Sequence, residues 1–306
     1  MMELADVLDS KSSGSDTVRV RPPLPAPNGK TPSRGLVFFA LCRRELMKFT
    51  FLGTGAAQNN KTPEEKIGEG RRCSTLLVDE SLLVDVAPQS FDFAEKLELD
   101  TSAVSNVLLT HSHDDHFNLS QLVKFAMSAG HKIKVWCHCN AAKNMEIGDD
   151  ESRYISFEYI TEMETVAVGD YMITALPANH EMPNGEQAFH YIIEKNGKTI
   201  FYGCDGGWFF GRTWKKIVKT KFDCMILECT VGDNGGDVRL GGHNTMPMLE
   251  LLAMGIRENN VLKEKGIIIA SHIGNLSHDR LPHEKIAEKM ARFGVVAAHD
   301  GMGVEI

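Results

Sequence analysis

The segment Leu108–His116 constrains the fold and chemistry of this chain more than any other. It begins at the end of an apolar run and continues directly with the pattern His-x-His-x-Asp-His. Alternate residues of an extended chain face the same side, so His111 and His113 point together, while Asp115 and His116 fall on the following turn. Neutral imidazoles and carboxylates are ligands that zinc and similar ions prefer. The spacing predicts two adjacent metal ions, the histidine pair on one and the Asp-His pair on the other. A histidine-rich surface turn would not need to follow a buried strand.

Length and composition limit the class of protein. With 306 residues, 42% of them hydrophobic, the chain can bury a substantial core as one large domain or two small ones. It has no run of eighteen apolar residues, so no transmembrane helix is expected. The acidic start Met1–Asp9 does not resemble a signal peptide, and the seven cysteines form no short-spaced disulfide pattern. These features predict a cytoplasmic protein with reduced thiols and no membrane association.

Residues 1–46 differ in composition from the rest of the chain. Ser10–Ser15 is small and polar, and Arg21–Arg34 contains five prolines. This composition is typical of a disordered extension, with a small ordered module as the alternative. The first convincing strand starts at Met47, so residues 47–306 are predicted to form the folded domain. Strands and helices interleave there without strict alternation, which indicates an α/β protein.

Isolated polar residues follow several apolar runs of this domain. Asp85, His180, Asp205 and His272 each come just after such a run. One residue of this kind is more commonly a satisfied core group or a cap. Four of them, together with the histidine cluster, all at the carboxyl ends of predicted strands, indicate that they meet at one edge of the fold.

This ordered set of residues resembles the metallo-β-lactamase superfamily from Met47 to Ile306. The resemblance implies a catalytic domain built as a four-layer αβ/βα sandwich with two divalent metal ions at one edge, expected to be zinc, with manganese or iron as alternatives. Asp205 would bridge the two ions, and Asp85 would orient ligands without binding an ion. The ligands implied for the first and the second ion are, respectively, His111, His113 and His180, and Asp115, His116 and His272.

Two later motifs resemble the phosphodiesterase branches of the superfamily. The segments Leu227–Thr230 and Gly241–Thr245 are similar to the cyclic ribosyl-phosphate phosphodiesterase of phosphonate breakdown and, more loosely, to tRNA 3′-processing ribonucleases. This resemblance implies that His243 neutralises the scissile phosphate or protonates the leaving oxygen, and that Glu228 supports the ligands from behind. The alternative for His243 is a cap of a glycine-rich loop.

The chain also departs from this branch. The cysteine cluster that would bind a separate structural zinc after Gln58 is missing. Cys137 and Cys139 would share a strand face and are a candidate substitute, although a coincidence at a strand end is the simpler interpretation. His190, inside a predicted strand, is expected to be a core residue. The long basic arm that grips tRNA in the ribonucleases has no counterpart.

These observations predict a metal-dependent hydrolase, a phosphodiesterase acting on a small molecule through water activated between two ions. Asp115, Asp205 and His243 are expected to take part directly. The net charge of −8 disfavours long nucleic acid, which needs a basic face. The alternatives are another hydrolase on the same scaffold, such as a ribonuclease Z-like nuclease, a thioesterase or a lactonase, and a non-hydrolytic member used for binding or cofactor biosynthesis. The oligomeric state stays open, a homodimer included.

Overall fold

The structure is a computed structural model that describes residues 46–57, 71–145, 147–233, 237, 239, 241–274, 278 and 280–306. The extension predicted for residues 1–46 lies outside the described residues, apart from Leu46. Within the described parts of the chain, no helix is both long and apolar enough to cross a bilayer.

Strands from the first half of the domain, together with the C-terminal strand, form a seven-stranded sheet with the order β14-β1-β2-β3-β4-β5-β6. Neighbours are antiparallel from β14 to β3 and parallel from β3 to β6. Its strands are β1 Lys48–Gly53, β2 Thr75–Val78, β3 Leu82–Val84, β4 Asn106–Leu108, β5 Ile133–Cys137, β6 Ile155–Tyr159 and β14 Gly303–Glu305. The helices of this half are α1 Ser90–Lys96, α2 Leu119–Ala129 and α3 Cys139–Asn144.

The second half forms another seven-stranded sheet, in the order β13-β12-β11-β10-β9-β8-β7. Its central strands β10, β11 and β12 run parallel, and β7 to β10 are antiparallel neighbours. Its strands are β7 Thr165–Val168, β8 Tyr171–Pro177, β9 Phe189–Lys195, β10 Lys198–Gly203, β11 Phe222–Cys229, β12 Leu262–Ile273 and β13 Val296–Ala297. Its helices are α4 Gly211–Ile217, α5 Met246–Glu258 and α6 His283–Ala291.

Three apolar clusters hold these layers together. Phe49 and Leu108 from the first sheet belong to the same buried cluster as Tyr191 and Ile226 from the second, so the two sheets pack face to face. A second cluster joins the other face of the second sheet to α4, α5 and α6. A third joins the other face of the first sheet to α1, α2 and α3. Alternation along each strand divides its apolar residues between two buried faces, which produces the predicted αβ/βα arrangement.

Local sequence signals explain where the predicted elements begin and end. Asn118 caps α2 by accepting from the backbone N–H of Gln121, and Gly130 ends the helix in a left-handed conformation. An Asn-Gly pair, which favours a tight hairpin turn, joins β9 to β10, and the φ values of Asn196 and Gly197 are 51° and 76°. Helix α3 and strand β7 have only six and four residues, too few for a clear periodic pattern in the sequence.

The loops after these strands carry the polar residues singled out in the sequence. Asp85 follows β3, the histidine cluster follows β4, His180 follows β8 and Asp205 follows β10. His272 differs from the prediction, because it lies inside β12 rather than after its end. The pairing of β12 with β11 shifts register at this residue, which forms a bulge with a φ of 48°.

Candidate metal centre

The predicted ligands lie together at one edge of the two sheets. Their donor atoms form two groups, each with all atoms within 4.8 Å of one another. The first group comprises His111, His113, His180 and Asp205, and the second comprises Asp115, His116, Asp205 and His272. The structure therefore places every predicted ligand in the group to which the resemblance assigned it.

Asp205 is the residue that belongs to both groups. Its Oδ2 lies 3.2 Å from His111 Nε2 and 2.9 Å from His116 Nε2, which are members of different groups. Its Oδ1 lies 2.9 Å from His272 Nδ1. One carboxylate thus faces both ligand sets, as a bridging ligand must.

Hydrogen bonds on the far side of the rings fix the orientation of His111 and His116. The hydroxyl of Thr110 donates to Asp85 (2.9 Å), so its oxygen can accept from His111 Nδ1 at 3.0 Å. His116 Nδ1 lies 2.8 Å from Asp85 Oδ2 and donates to it. With their Nδ1 protons used in this way, both rings point an Nε2 lone pair at the Asp205 carboxylate. Lone pairs that face a carboxylate are stabilised by a cation between them, so these residues fit divalent metal ions.

A second relay fixes His272. The hydroxyl of Thr230 donates to Glu228 Oε2 at 2.6 Å, and its oxygen lies 2.8 Å from His272 Nδ1. His272 Nε2 then faces His116 Nε2 at 3.3 Å and Asp115 Oδ2 at 3.5 Å. Glu228 therefore supports this ligand through Thr230, a partner that the sequence did not reveal.

The same negative surroundings attract protons when no cation is present. Burial alone would lower the pKa of His116 and His272, but the neighbouring carboxylates outweigh it. The pKa of His116 lies well above its usual value, and that of His272 is about 9. Burial would raise the pKa of Asp205, yet the His272 and His116 imidazoles hold it well below the usual range. Protons and metal ions thus compete for this site.

Three residues of the centre have left-handed backbone conformations, which residues other than glycine rarely adopt. The φ values are 61° for Asp85, 48° for Asp205 and 48° for His272. Asp85 and Asp205 turn the chain just after a strand, and His272 forms the bulge near the end of β12. Left-handed residues of this kind concentrate at functional sites, where the surrounding structure holds them in place.

His243 lies beside these two groups and belongs to neither, but its donor atom forms a third, smaller group with those of Glu228 and His272. Its Nδ1 is 3.4 Å from Glu228 Oε1 and 3.5 Å from Asp205 Oδ1, and its ring stacks on His272 with centroids 6.0 Å apart. Burial would lower the pKa of His243, but Glu228 and Asp205 raise it above the usual value. The side chain is 13% exposed, against 2% for His272, so a substrate can reach it.

Close backbone contact holds the loop of His243 against the loop of Asp205. A Cβ on Gly207 would lie 1.9 Å from the carbonyl oxygen of Gly241, so only glycine fits at Gly207. Asn244 donates from its side chain to the carbonyl of Gly206 at 3.1 Å and from its backbone to Glu228 at 2.7 Å. These contacts set the position of His243, and the resemblance had predicted its location but not its supports.

The cysteine pair Cys137 and Cys139 and the histidine His190, also singled out in the sequence, lie outside the centre. Cys137 is buried and Cys139 exposed, and neither belongs to a group of ligand atoms among the residues that the structure describes. His138 caps α3 by accepting from the backbone of Asn140. His190 is buried in β9, as expected for a core residue.

Comparison with known proteins is consistent with this geometry. The family model of the β-lactamase superfamily domain matches residues 81–255, which is more than half of the chain. No curated protein sequence matches the chain significantly.

Several solved structures share the fold at low sequence identity. A diphosphatase from the PhnP family is 16% identical with a TM-score of 0.67, over 86% of this chain and 98% of that one. Zn²⁺-bound PqqB from Methylobacterium extorquens is 17% identical with a TM-score of 0.64, over 85% and 100%. The short form of human tRNase Z is 18% identical with a TM-score of 0.57, over 84% and 98%. The match of the family model over residues 81–255, on a chain with this fold, shows that the protein belongs to the metallo-β-lactamase superfamily.

Proposed function

We propose that this protein is a phosphodiesterase that hydrolyses a small phosphodiester with the help of two divalent cations, zinc being the expected ion. The observation that carries the proposal is His243, a partly exposed histidine beside the two groups that share Asp205 and a member of neither. A hydrolase that needs only ligands and water has no use for such a residue, whereas cleavage of an alkyl phosphodiester needs a proton for the leaving oxygen.

The ligand groups account for the cations. His111, His113 and His180 would hold one and Asp115, His116 and His272 the other, with Asp205 between them. When bound, the cations would supply the Lewis acidity that makes water nucleophilic near neutral pH and neutralises charge on the phosphate.

Protonation of the leaving oxygen would fall to His243, which Glu228 helps to orient. Glu228 Oε1 lies 3.4 Å from His243 Nδ1 and turns that nitrogen inward. The rest of the partly exposed ring is left to meet the substrate. In this position His243 would hold a proton next to the phosphate and deliver it to the departing oxygen as the P–O bond breaks.

The nature of the substrate follows from charge and from similar proteins. A net charge of −8 disfavours a long polyanion and leaves a small diester that the cations can neutralise locally. Similar structures carry the names diphosphatase and tRNase Z, which supports chemistry at phosphorus.

The test is the variant His243→Ala on the metal-loaded enzyme with two diesters, one with an alkoxide leaving group and one with nitrophenolate. We expect kcat for the alkyl diester to fall by about 10²–10⁴-fold, the usual contribution of a positioned acid. The loss should shrink for nitrophenolate, which departs without a proton. His131→Ala, at an exposed histidine on the turn after α2, is the matched control.

Two results would contradict this assignment. In the first, His243→Ala loses a metal ion, which would make it a ligand. In the second, turnover of the alkyl diester is unchanged. A panel that sets a thioester and a lactone beside the diesters separates the phosphodiesterase from another hydrolase on the same scaffold. Faster turnover of either carbonyl substrate than of both diesters would favour the alternative.

A further inference from the structure

A buried carboxylate without a place in the proposed chemistry lies behind the first ligand group. Glu186 is 7% exposed. Its Oε1 accepts from the backbone N–H of Ser112 at 2.8 Å, and its Oε2 accepts from the Ser112 hydroxyl at 2.5 Å and from Asn144 Nδ2 at 2.7 Å. Three donors thus compensate one buried negative charge, and such charge-assisted hydrogen bonds are stronger than neutral ones.

The position of Ser112 gives these bonds their importance. Ser112 stands between His111 and His113, and holding its backbone and hydroxyl fixes the peptide that carries both rings. Glu186 lies six residues after His180, on the loop that follows β8. The Glu186–Ser112 contact therefore ties together the two loops that supply all three histidines of the first group.

The same arrangement, a carboxylate that accepts from the backbone N–H and the hydroxyl of one residue, occurs twice elsewhere in the centre. Asp85 accepts from the backbone N–H and the hydroxyl of Thr110. Glu228 accepts from the backbone N–H and the hydroxyl of Thr230. In each case a buried carboxylate holds a hydroxyl residue next to a ligand or in contact with one. Asp85 and Glu228 also face site imidazoles directly, whereas Glu186 reaches its ligands only through the chain.

We infer that Glu186 is a positioning residue that sets the affinity of the first ligand group for its cation without touching the cation. The inference rests on the proposed metal centre but not on the substrate. Holding His111, His113 and His180 at a fixed separation spares the ion the entropic cost of ordering two loops. In the second group, Asp115 and His116 lie on the same loop as Ser112, but Asp85 holds the ring of His116 and Thr230 holds the ring of His272. The affinity of this group should therefore depend much less on Glu186.

The test is a Zn²⁺ titration of the full-length Glu186→Gln protein, stripped of metal and set against a chromophoric competing chelator. Glutamine keeps the size of the side chain but replaces one acceptor with an N–H₂ that cannot accept from Ser112 or Asn144. We expect one of two dissociation constants to rise by about 10–100-fold, as found for residues that orient ligands. The other dissociation constant should stay within about 2-fold of its wild-type value.

A double variant assigns the effect to one group. His113→Ala weakens the first group directly, so adding Glu186→Gln to it should change the remaining dissociation constant little. If Glu186→Gln still weakens the binding of the ion that remains in the His113→Ala protein, the carboxylate does not act on the first group. The inference then fails.

The chain offers a matched control. Glu164 also accepts from the backbone N–H and the hydroxyl of one residue, Thr161, but on an exposed turn. Glu164→Gln should leave both dissociation constants unchanged. Circular dichroism of each metal-free variant shows whether it is folded. If Glu186→Gln is folded and binds both ions with wild-type affinity, or weakens both equally, the inference is wrong.

These outcomes separate this inference from the proposed function. Two Zn²⁺ ions bound by the wild type, with one weakened in Glu186→Gln, support the positioning role even if no phosphodiester is hydrolysed. A wild-type protein that binds no ion would overturn the metal centre and this inference together.

Discussion

His190 gives a prediction whose size can be worked out from the structure. It is fully buried in β9, and neither ring nitrogen has a hydrogen-bond partner in the described part of the chain. Phe201 and Phe209 pack against the ring with centroids 5.6 and 5.5 Å away. Burial among these groups lowers the pKa of His190 to about 4. We predict that this residue makes the protein sensitive to acid and that His190→Met relieves the sensitivity.

The sign and size follow from proton linkage. In the unfolded chain the histidine titrates near pH 6.5, so between about pH 6.5 and 4 the unfolded state binds a proton that the folded state does not. The folded state therefore loses stability as the pH falls through this window. With a folded pKa of about 4, the free energy of unfolding should fall by about 2.5 kcal/mol between pH 7.5 and 4.5 because of this group alone.

Urea unfolding of the metal-free protein at both pH values measures this quantity. Other groups also contribute to the pH dependence of stability, but their contribution cancels when the wild type is compared with His190→Met. At pH 7.5 the variant should be close to the wild type, since removing two unpaired nitrogens offsets any packing defect. At pH 4.5 it should be more stable by about 2.5 kcal/mol.

His131→Met, at an exposed position, is the control and should follow the wild type at both pH values. A stability difference between His190→Met and the wild type that is the same at pH 7.5 and pH 4.5 would refute the reasoning. It would show that the imidazole is protonated in the folded state or finds a partner there.

Two further predictions concern the metal centre. Elemental analysis of protein loaded with excess Zn²⁺ and then desalted should find two ions per chain, because two groups of donor atoms converge on Asp205; full activity with at most one equivalent would exclude a dinuclear site. Asp205→Ala should lose more kcat/KM for a phosphodiester than Asp85→Ala, whose loss should be about 10–100-fold, because Asp205 faces both ligand groups and Asp85 faces neither ion. Equal losses in the two variants would show that Asp205 does not bridge.

The layered fold and the location of the centre were predictable because they depend on strong, local signals. Each apolar run is long enough to indicate a buried strand, and a polar residue just after it, such as Asp85 or Asp205, has nowhere to lie except the edge of the sheet. In parallel strands these edges coincide, so the order of residues along the chain already indicated that they meet.

The supports of the centre could not be predicted in the same way. Glu186 follows a short loop, and nothing in its neighbourhood distinguishes it from an exposed glutamate. Its partner Ser112 lies 74 positions earlier in the chain, and only the packing of the two sheets brings the pair together. The bulge at His272 could not be predicted for a similar reason, since it depends on how β12 pairs with β11. Thr110 and Thr230 lie near predicted ligands in the sequence, but hydroxyl residues in such places are too common to be singled out.

The division of the ligands between the two sheets has a consequence for the resistance of the protein to degradation. His111 and His116 follow a strand of the first sheet, and His180, Asp205 and His272 belong to strands or loops of the second, so each cation would cross-link the two sheets. Binding at a hundredfold excess over the dissociation constant stabilises a folded state by about 2.7 kcal/mol per site. The supply of metal ions would thus govern how often the two sheets separate and expose the chain to proteases. The abundance of the protein, and not only its turnover rate, would then follow the availability of metal.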